Sequence, residues 1–201
     1  MCERLGVSLL VDVGANDGSW AAAVRRAGYE GAILSFEPNP GAFELLTQRS
    51  SSDARWEARP FAIGDREGTA DLRLSPDSRW SSLLAAGSDN PSRLGGTKAT
   101  ATVPVRRLDA ELPSQTGRIF LKIDVEGFDL HVLRGAEGVA HSVVAGQLEV
   151  TVADHFVGQP SILELLTELD SLGLGVTGVE NGFITAGGAE RYFNVLVERV
   201  T

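Results

Sequence analysis

The sequence predicts an α/β fold built around a mostly parallel β-sheet. Short apolar runs rich in β-branched residues alternate with helix-like segments through most of the chain, and this alternation is the pattern of βαβ units. The 201 residues are 43% hydrophobic, as expected for a globular chain that buries a core. We therefore expect residues 1–201 to form one domain.

Predicted strands and helices alternate along the chain. The predicted strands are Leu9–Val13, Ile33–Glu37, Arg59–Ile63, Ile119–Asp124 and Gln147–Ala153. Ser19–Ala27 and Pro40–Arg49 follow the first two strands and carry apolar residues at helical spacing. The longest amphipathic segment is Ser161–Leu172, which begins after a proline.

Two later segments depart from this alternation. Gly175–Glu180 and Tyr192–Glu198 are joined by residues with no helical pattern, which predicts an antiparallel hairpin that closes the sheet. Asp77–Thr102 is rich in Gly, Ser, Asn and Pro, and so long a loop in a compact domain is usually functional. We predict that it is a lid or substrate segment, with a short helical turn at Ser81–Leu84.

Composition excludes several classes of partner. The net charge is −9 and the chain has only two lysines, so we predict no nucleic-acid partner. The single cysteine, Cys2, has no partner for a disulfide or a zinc site. No apolar run reaches the roughly 18 residues of a membrane span and no signal peptide is recognisable, which predicts a cytoplasmic protein with no membrane partner.

A glycine-rich loop follows the first strand and is the strongest functional signal. Gly14, Asn16 and Gly18 lie between that strand and a predicted helix; glycine lets a ligand approach the backbone, and a helix start offers free N–H groups. Glu37 ends the second strand 19 residues after Gly18, where a carboxylate can accept hydrogen bonds from both ribose hydroxyls. Together these residues predict a nucleoside pocket.

The loop favours S-adenosylmethionine over NAD as the nucleoside. A dinucleotide fingerprint reads GxGxxG, but Asn16 and Ser19 stand where its second and third glycines would be. Asp12, near the end of the first strand, would repel a pyrophosphate but can receive an ammonium group directly or through water. An NAD-linked oxidoreductase and a non-catalytic nucleoside-binding regulatory domain remain the alternatives.

Carboxylates gather after the fourth predicted strand. Asp124, Glu126 and Asp129 follow it, at the edge where open α/β sheets bind ligands. They can hold the amino group of the cofactor, bind a divalent cation, act as a general base, or simply begin a helix. Their spacing provides no closed oxygen shell, so we predict no dedicated metal.

Three further polar residues lie on or after buried strands. His155 follows the fifth strand and is predicted to face the transferred methyl group, orient the acceptor and take its proton; the alternative is a solvent-facing loop histidine. Lys122 lies on a strand predicted to be buried on both faces and needs a carboxylate partner or a ligand. Glu149 is predicted to be that partner or a substrate contact, and Trp80 a candidate for the acceptor pocket.

Several motifs, taken in order, resemble the FkbM family of S-adenosylmethionine-dependent methyltransferases. They are VDVGANDG at 11–18, SFEPNP at 35–40, AIGDREG at 62–68, the Ser81-Ser82-Leu83 segment and LKIDVEGFDLHVLRGAEG at 121–138. The resemblance implies a Rossmann-like class I fold with seven strands and a C-terminal antiparallel hairpin. It also implies methyl transfer to oxygen, which we expect on a small hydroxylated metabolite or a sugar.

The resemblance also implies roles for individual residues. Asp124, Gly14, Asn16 and Gly18 would surround the cofactor, with Asp12 supporting the loop and Glu37 on the ribose. Asn39 would lie at the ribose edge, Ala62 and Ile63 would flank the adenine, and Asp65 would reach its exocyclic amine. Only eight residues precede the first predicted strand, so we expect no longer N-terminal region that covers the substrate.

Overall fold

The main sheet of the protein has seven strands. The computed structural model describes residues 1–87, 99–112, 116–151, 155–180 and 192–200. Its strands are β1 (Leu9–Val13), β2 (Ala32–Phe36), β3 (Trp56–Arg59), β4 (Ala62–Ile63), β5 (Gly68–Leu74), β6 (Ala99–Arg106), β7 (Ile119–Ile123), β8 (Val143–Thr151), β9 (Leu174–Glu180) and β10 (Tyr192–Arg199). The main sheet has the order β3-β2-β1-β7-β8-β10-β9. Within it, β10 runs antiparallel to its neighbours, which confirms the predicted fold class and the C-terminal hairpin.

Helices connect the parallel strands. They are α1 (Ser19–Arg26), α2 (Pro40–Ser50), α3 (Leu108–Glu111), α4 (Asp129–Gly135) and α5 (Ile162–Ser171). Helix α5 begins where the sequence places a capping box: the Ser161 hydroxyl accepts a hydrogen bond from the Glu164 backbone N–H, and the Glu164 side chain accepts one from the Ser161 N–H. Among the described residues, no helix is long and apolar enough to cross a lipid bilayer.

The predicted strand at Arg59–Ile63 is two strands in the structure. β3 ends at Arg59 in the main sheet, whereas β4 pairs with Val105 and Arg106 in a second sheet of order β4-β6-β5. Pro60 separates them, and proline has no N–H to continue a strand ladder. The second sheet includes residues 99–102, so the end of the predicted irregular segment, Asp77–Thr102, is a strand. Residues 88–98 of that segment lie outside the described ranges.

The helical turn predicted at Ser81–Leu84 lies earlier in the chain. A 3-10 turn forms at Ser78–Trp80, where the Asp77 carboxylate caps it by accepting a hydrogen bond from the Arg79 N–H. Ser81 is extended, and Ser82 forms an antiparallel bridge with Arg73. The prediction of the turn's position was therefore wrong, because the Asp77 cap and the bridge to β5 determine where the turn ends.

The strand order places a crevice at the carboxyl ends of the central strands. Residues of β1 alternate between two apolar layers: Leu10 packs in one, and Val11 and Val13 in the other. β1 pairs with both β2 and β7, so the chain leaves β1 toward one side of the sheet and later returns on the other. Ligands bind at the carboxyl ends of the strands at such a reversal, and this position defines the candidate site.

Candidate active site

A cleft with a cavity volume of about 190 Å³ lies at the carboxyl ends of the central strands, where open α/β sheets bind ligands. Its wall includes Gly14 and Asn16 after β1, Glu37 after β2, Ala62 and Ile63 of β4, Asp124 and Glu126 after β7, and Glu149 of β8. The structure thus brings together residues from most of the segments in which the sequence predicts a site.

The loop after β1 is shaped by positive backbone φ angles. Gly14 has φ of 77°, and a Cβ atom there would lie 1.8 Å from the Asp124 carbonyl oxygen, so no side chain fits. Asn16 also adopts a left-handed conformation, with φ of 50°. Gly18 supports the loop from behind, because a Cβ at this position would lie 2.7 Å from Leu46 Cδ1. Gly14 and Asn16 line the cleft, whereas Gly18 is not among the wall residues.

Glu37 is a buried carboxylate held by two backbone N–H groups. Its Oε2 accepts a hydrogen bond from the Asn16 N–H at 2.7 Å, and its Oε1 accepts one from the Asn39 N–H at 2.7 Å. Only 7% of the residue is exposed, and burial raises the pKa of Glu37 to about 7 although the two hydrogen bonds oppose it. Each carboxylate oxygen accepts more than one bond, so both can still accept ligand hydroxyls.

Asn39 and Asp65 lie outside the wall. Asn39 caps α2, with its Oδ1 accepting hydrogen bonds from the Gly41 and Ala42 N–H groups, so its side chain is committed to the helix start. Asp65 Oδ2 lies 3.1 Å from His131 Nδ1. The predicted contacts of Asn39 with ribose and of Asp65 with adenine stay predictions; the placement favours supporting roles for both residues.

Asp12, Lys122 and Asp124 form an ion network behind the loop, in which Asp12 and Lys122 are buried and Asp124 faces the cleft. Lys122 Nζ lies 2.9 Å from Asp12 Oδ1 and 3.3 Å from Asp124 Oδ2, and it donates a hydrogen bond to the Gly14 carbonyl at 3.0 Å. Burial lowers the pKa of Lys122, but the two carboxylates outweigh burial and hold the pKa above its usual value. Asp12 is completely buried and is not among the described wall residues, which favours support of the loop through Lys122; its predicted contact with the ammonium group stays a prediction.

Three carboxylates converge on the far side of the cleft. Carboxylate oxygens of Asp124, Glu126 and Glu149 lie within 4.8 Å of one another, a grouping that can take a proton from a hydroxyl or hold a divalent cation. The sequence singled out Asp124 and Glu126, and the position of Glu149 fits the alternative that it contacts substrate. Asp129 is buried, and burial raises its pKa to about 7; it lies outside the wall. That the chain has no dedicated metal stays a prediction.

His155 is enclosed by protein. It is 2% exposed and is not among the described residues of the cleft wall. Its carbonyl oxygen accepts a hydrogen bond from the Gly87 N–H at 2.8 Å, which joins the chain after β8 to the segment after β5. The alternative of a solvent-facing loop histidine is wrong, and the catalytic role stays a prediction.

Residues 78–83, which we call the strap, close one side of the cleft. All six line the wall. One of them is Trp80, which the sequence predicts as a candidate for the acceptor pocket. Ser81 and Ser82 belong to one of the family motifs, but the sequence predicts no role for the strap serines. Ser78 donates a hydrogen bond to Asn16 Oδ1 at 3.1 Å, Ser81 accepts one from Asn39 Nδ2 at 3.3 Å, and Ser82 donates one to the Glu126 carbonyl at 2.7 Å. The signal in the sequence that could have indicated these contacts is the presence of three serines within five residues.

Comparison with known proteins gives one family. A model of the methyltransferase FkbM domain matches residues 12–174. The hexuronic acid methyltransferase AglP of Haloferax volcanii is 29% identical over 137 residues, which are 67% of this chain and 52% of that protein. Methyltransferase 1 of Beauveria bassiana is 27% identical over 146 residues, covering 65% of this chain and 59% of its own. The chain therefore spans little more than half the length of these relatives.

Solved structures share the fold. A methyltransferase FkbM from Methylobacillus flagellatus superimposes with a TM-score of 0.61 at 16% identity, over 96% of this chain and 43% of its own. The magnesium protoporphyrin IX methyltransferase of Synechocystis, whose structure contains bound S-adenosylmethionine, gives a TM-score of 0.54 at 9% identity, over 98% of this chain and 73% of its own. At these identities the likeness extends to the fold alone.

Proposed function

Because the chain belongs to the FkbM methyltransferase domain family, we propose that it is an S-adenosylmethionine-dependent O-methyltransferase that modifies a small hydroxylated metabolite or a sugar. The observation that carries the proposal is one cleft with a nucleoside end and an acidic end. Glu37 marks the first end, and Asp124, Glu126 and Glu149 mark the second.

The nucleoside end suits the cofactor. The two oxygens of Glu37 accept the ribose hydroxyls, and Ala62 and Ile63 provide an apolar surface for the adenine. The glycine backbone at Gly14 lets the methionine part of the cofactor pass close to the loop. Asp124, which faces the cleft at the reversal of the sheet, receives the ammonium group. Each residue then interacts with the chemical group that its own charge or apolarity favours.

The acidic end suits a hydroxylated acceptor. Methyl transfer forms an acceptor O–C bond while the S–C bond of the cofactor breaks, and the sulfur keeps the electron pair. The hydroxyl proton passes to a carboxylate, for which we propose Glu126 because it lies in the cleft wall beside Asp124 and Glu149. Hydroxyl groups of a sugar donate to several carboxylates at once, and the similarity to a hexuronic acid methyltransferase supports this class of acceptor.

A screen for labelled products tests the function. The protein is incubated with small-molecule extracts and a panel of free and conjugated sugars together with methyl-labelled cofactor, and products are identified by mass spectrometry. A labelled methyl ether is the expected result. Binding of NAD in place of S-adenosylmethionine would favour the oxidoreductase alternative, and cofactor binding without any labelled product would favour the regulatory alternative.

The ionisation of Glu37 predicts a pH dependence of cofactor affinity. Ribose hydroxyls bind the ionised carboxylate best, and a group with a pKa of about 7 is only roughly one-tenth ionised at pH 6. Affinity should therefore rise about tenfold from pH 6 to pH 8 and level off above. Calorimetry at each pH measures the cofactor affinity. A Glu37→Gln variant, which does not titrate, should bind more weakly at pH 8; the same pH slope in both proteins would contradict the assignment.

Two variants identify the general base. If Glu126 takes the acceptor's proton, Glu126→Gln should lower turnover by roughly 100-fold or more while the cofactor dissociation constant stays within about twofold. The sequence-based prediction for His155 expects the same loss in His155→Ala, so steady-state kinetics of the two variants separate the candidates. Each assay is run with EDTA and with Mg²⁺, and a requirement for Mg²⁺ would contradict the prediction that the chain has no dedicated metal site.

A further inference from the structure

Two non-glycine residues with left-handed backbone conformations lie in the cleft wall, and a strap serine holds each of them. They are Asn16, with φ of 50°, and Glu126, with φ of 52°. Ser78 reaches the Asn16 side chain, and Ser82 reaches the Glu126 backbone. We propose that Ser82 is a positioning residue that holds Glu126 in its left-handed conformation and so sets the place of its carboxylate; this inference rests on the proposed function.

The turn that contains Glu126 is closed by a long backbone hydrogen bond, from the Phe128 N–H to the Val125 carbonyl at 3.3 Å, and Ser82 adds a restraint from outside the turn. Side chains with a Cβ atom rarely adopt positive φ, and such residues persist only where the surroundings hold them. The next residue, Gly127, is also left-handed, with φ of 89°, so the chain turns sharply between β7 and α4. Without a restraint, the backbone at Glu126 would relax to a negative φ and its carboxylate would point elsewhere.

Ser82 provides that restraint from a rigid position. It is 3% exposed, and its hydroxyl donates a hydrogen bond to the Glu126 carbonyl at 2.7 Å while accepting one from the Leu84 N–H at 3.0 Å. Its own backbone exchanges two hydrogen bonds with Arg73 of β5. The hydroxyl is therefore held on both sides, and the bond it donates fixes the peptide plane after Glu126.

A fixed peptide plane restricts where the Glu126 Cβ atom lies and, through it, the region that the carboxylate can reach. Oxygens of Glu126, Asp124 and Glu149 are within 4.8 Å of one another, so these groups share one small volume. Proton transfer requires hydrogen-bond distance, and displacements of about 1 Å cost large factors in rate. In this role Ser82 acts on the reaction through Glu126.

The test compares Ser82→Ala with a matched serine. The hydroxyl of Ser142 also donates to a backbone carbonyl, that of Thr116 at 3.1 Å, and Ser142 is not among the wall residues. Ser82→Ala should lower turnover by about tenfold or more with cofactor affinity within about twofold, whereas Ser142→Ala should keep wild-type turnover. In a Glu126→Gln background, Ser82→Ala should cause no further loss, because the group that it positions is already absent.

A crystal structure of Ser82→Ala gives a readout that does not need activity. The expected result is a negative φ at residue 126 and a displaced carboxylate. An unchanged backbone at Glu126, or equal losses from Ser82→Ala with and without the Glu126 carboxylate, would overturn the positioning role. If the wild-type protein makes no labelled product but residue 126 still changes conformation in the variant, the proposed function fails and the restraint by Ser82 stands.

Discussion

A Gly14→Ala variant is expected to lose nearly all cofactor binding. The added Cβ atom would lie 1.8 Å from the Asp124 carbonyl oxygen and 2.8 Å from the Asp124 carbonyl carbon, and both are backbone atoms that cannot rotate away. Alanine also disfavours the φ of 77° that residue 14 adopts. The loop and the chain after β7 must therefore move apart, which displaces Asn16 and Asp124 from the cleft wall.

We expect the affinity for S-adenosylmethionine to fall by roughly 100-fold, or about 2.7 kcal/mol, and the free energy of unfolding to fall by about 3 kcal/mol. Calorimetry and urea denaturation measure the two quantities. Gly28→Ala is the matched control, because Gly28 has φ of 97° but, apart from its two chain neighbours, no heavy atom of the described residues lies within 4 Å of the position that its Cβ would take. It should cost about 1 kcal/mol of stability from backbone strain and leave cofactor affinity unchanged.

Equal effects of the two alanine variants on cofactor affinity would contradict the role of Gly14. They would show that backbone strain, and not the close contact with Asp124, governs the loop. Wild-type affinity in Gly14→Ala would remove the loop from the cofactor site altogether.

A Lys122→Met variant is expected to be among the least stable single variants of the protein. It leaves Asp12, which is 0% exposed, and Asp124 without the ammonium group that lies 2.9 and 3.3 Å from them. Removing one partner of a buried ion pair costs about 3–5 kcal/mol. The Gly14 carbonyl also loses the hydrogen bond that Lys122 donates, so the loop loses support and cofactor affinity should fall as well.

The loss of stability should depend on pH. Burial already raises the pKa of Asp12, and Lys122 opposes this shift; without Lys122 the folded-state pKa rises further above the unfolded value. A raised carboxyl pKa means that the folded variant binds a proton that the unfolded chain releases. The variant's free energy of unfolding should therefore be highest at acidic pH and fall as the pH rises through the folded-state pKa of Asp12.

Urea denaturation at pH 5 and pH 8 measures this dependence. Adding Asp12→Asn to Lys122→Met should restore part of the stability at pH 8, because it removes the uncompensated charge. Arg66→Met serves as control: the Arg66 side chain is 81% exposed and lies 3.6 Å from Asp65, so we expect a change under about 1 kcal/mol. A Lys122→Met protein as stable as this control would show that the network contributes nothing to stability.

Most of the main sheet was predictable because local patterns of apolar residues indicate its strands. Val11 and Val13 of β1 lie in a run of apolar residues, which predicts a strand buried on both faces. Pro40, and the proline before Ser161, mark the starts of helices α2 and α5. The strand at Arg59–Ile63 was predicted incorrectly because apolar spacing does not show which sheet a residue pairs with. Pro60 was the residue in the sequence that could have indicated the break between β3 and β4. The sheet to which β4 belongs depends on its pairing with β6, which lies much later in the chain.

The two ends of the candidate site were predictable to different degrees. Gly14, Asn16 and Glu37 follow strands that are adjacent in the sheet, so position along the chain was enough to bring them to one edge. His155 follows a strand in the same way, yet contacts with the segment after β5 enclose it. A rule based on strand ends predicts that a residue lies at the edge of the sheet, but the direction of its side chain depends on what packs over it.

The sequence alone determined the α/β class, the family resemblance, the glycine loop and the acid at residue 37, because each depends on residue types at short spacing. Only the tertiary structure decided that Lys122 pairs with Asp12 and Asp124, that Glu149 joins Glu126 in the cleft, and that strap serines hold Asn16 and Glu126. Apart from the pair Lys122–Asp124, these contacts join residues that are far apart in the chain. Their existence depends on strand order and on backbone angles that burial and hydrogen bonding impose, and no local pattern encodes such long-range geometry.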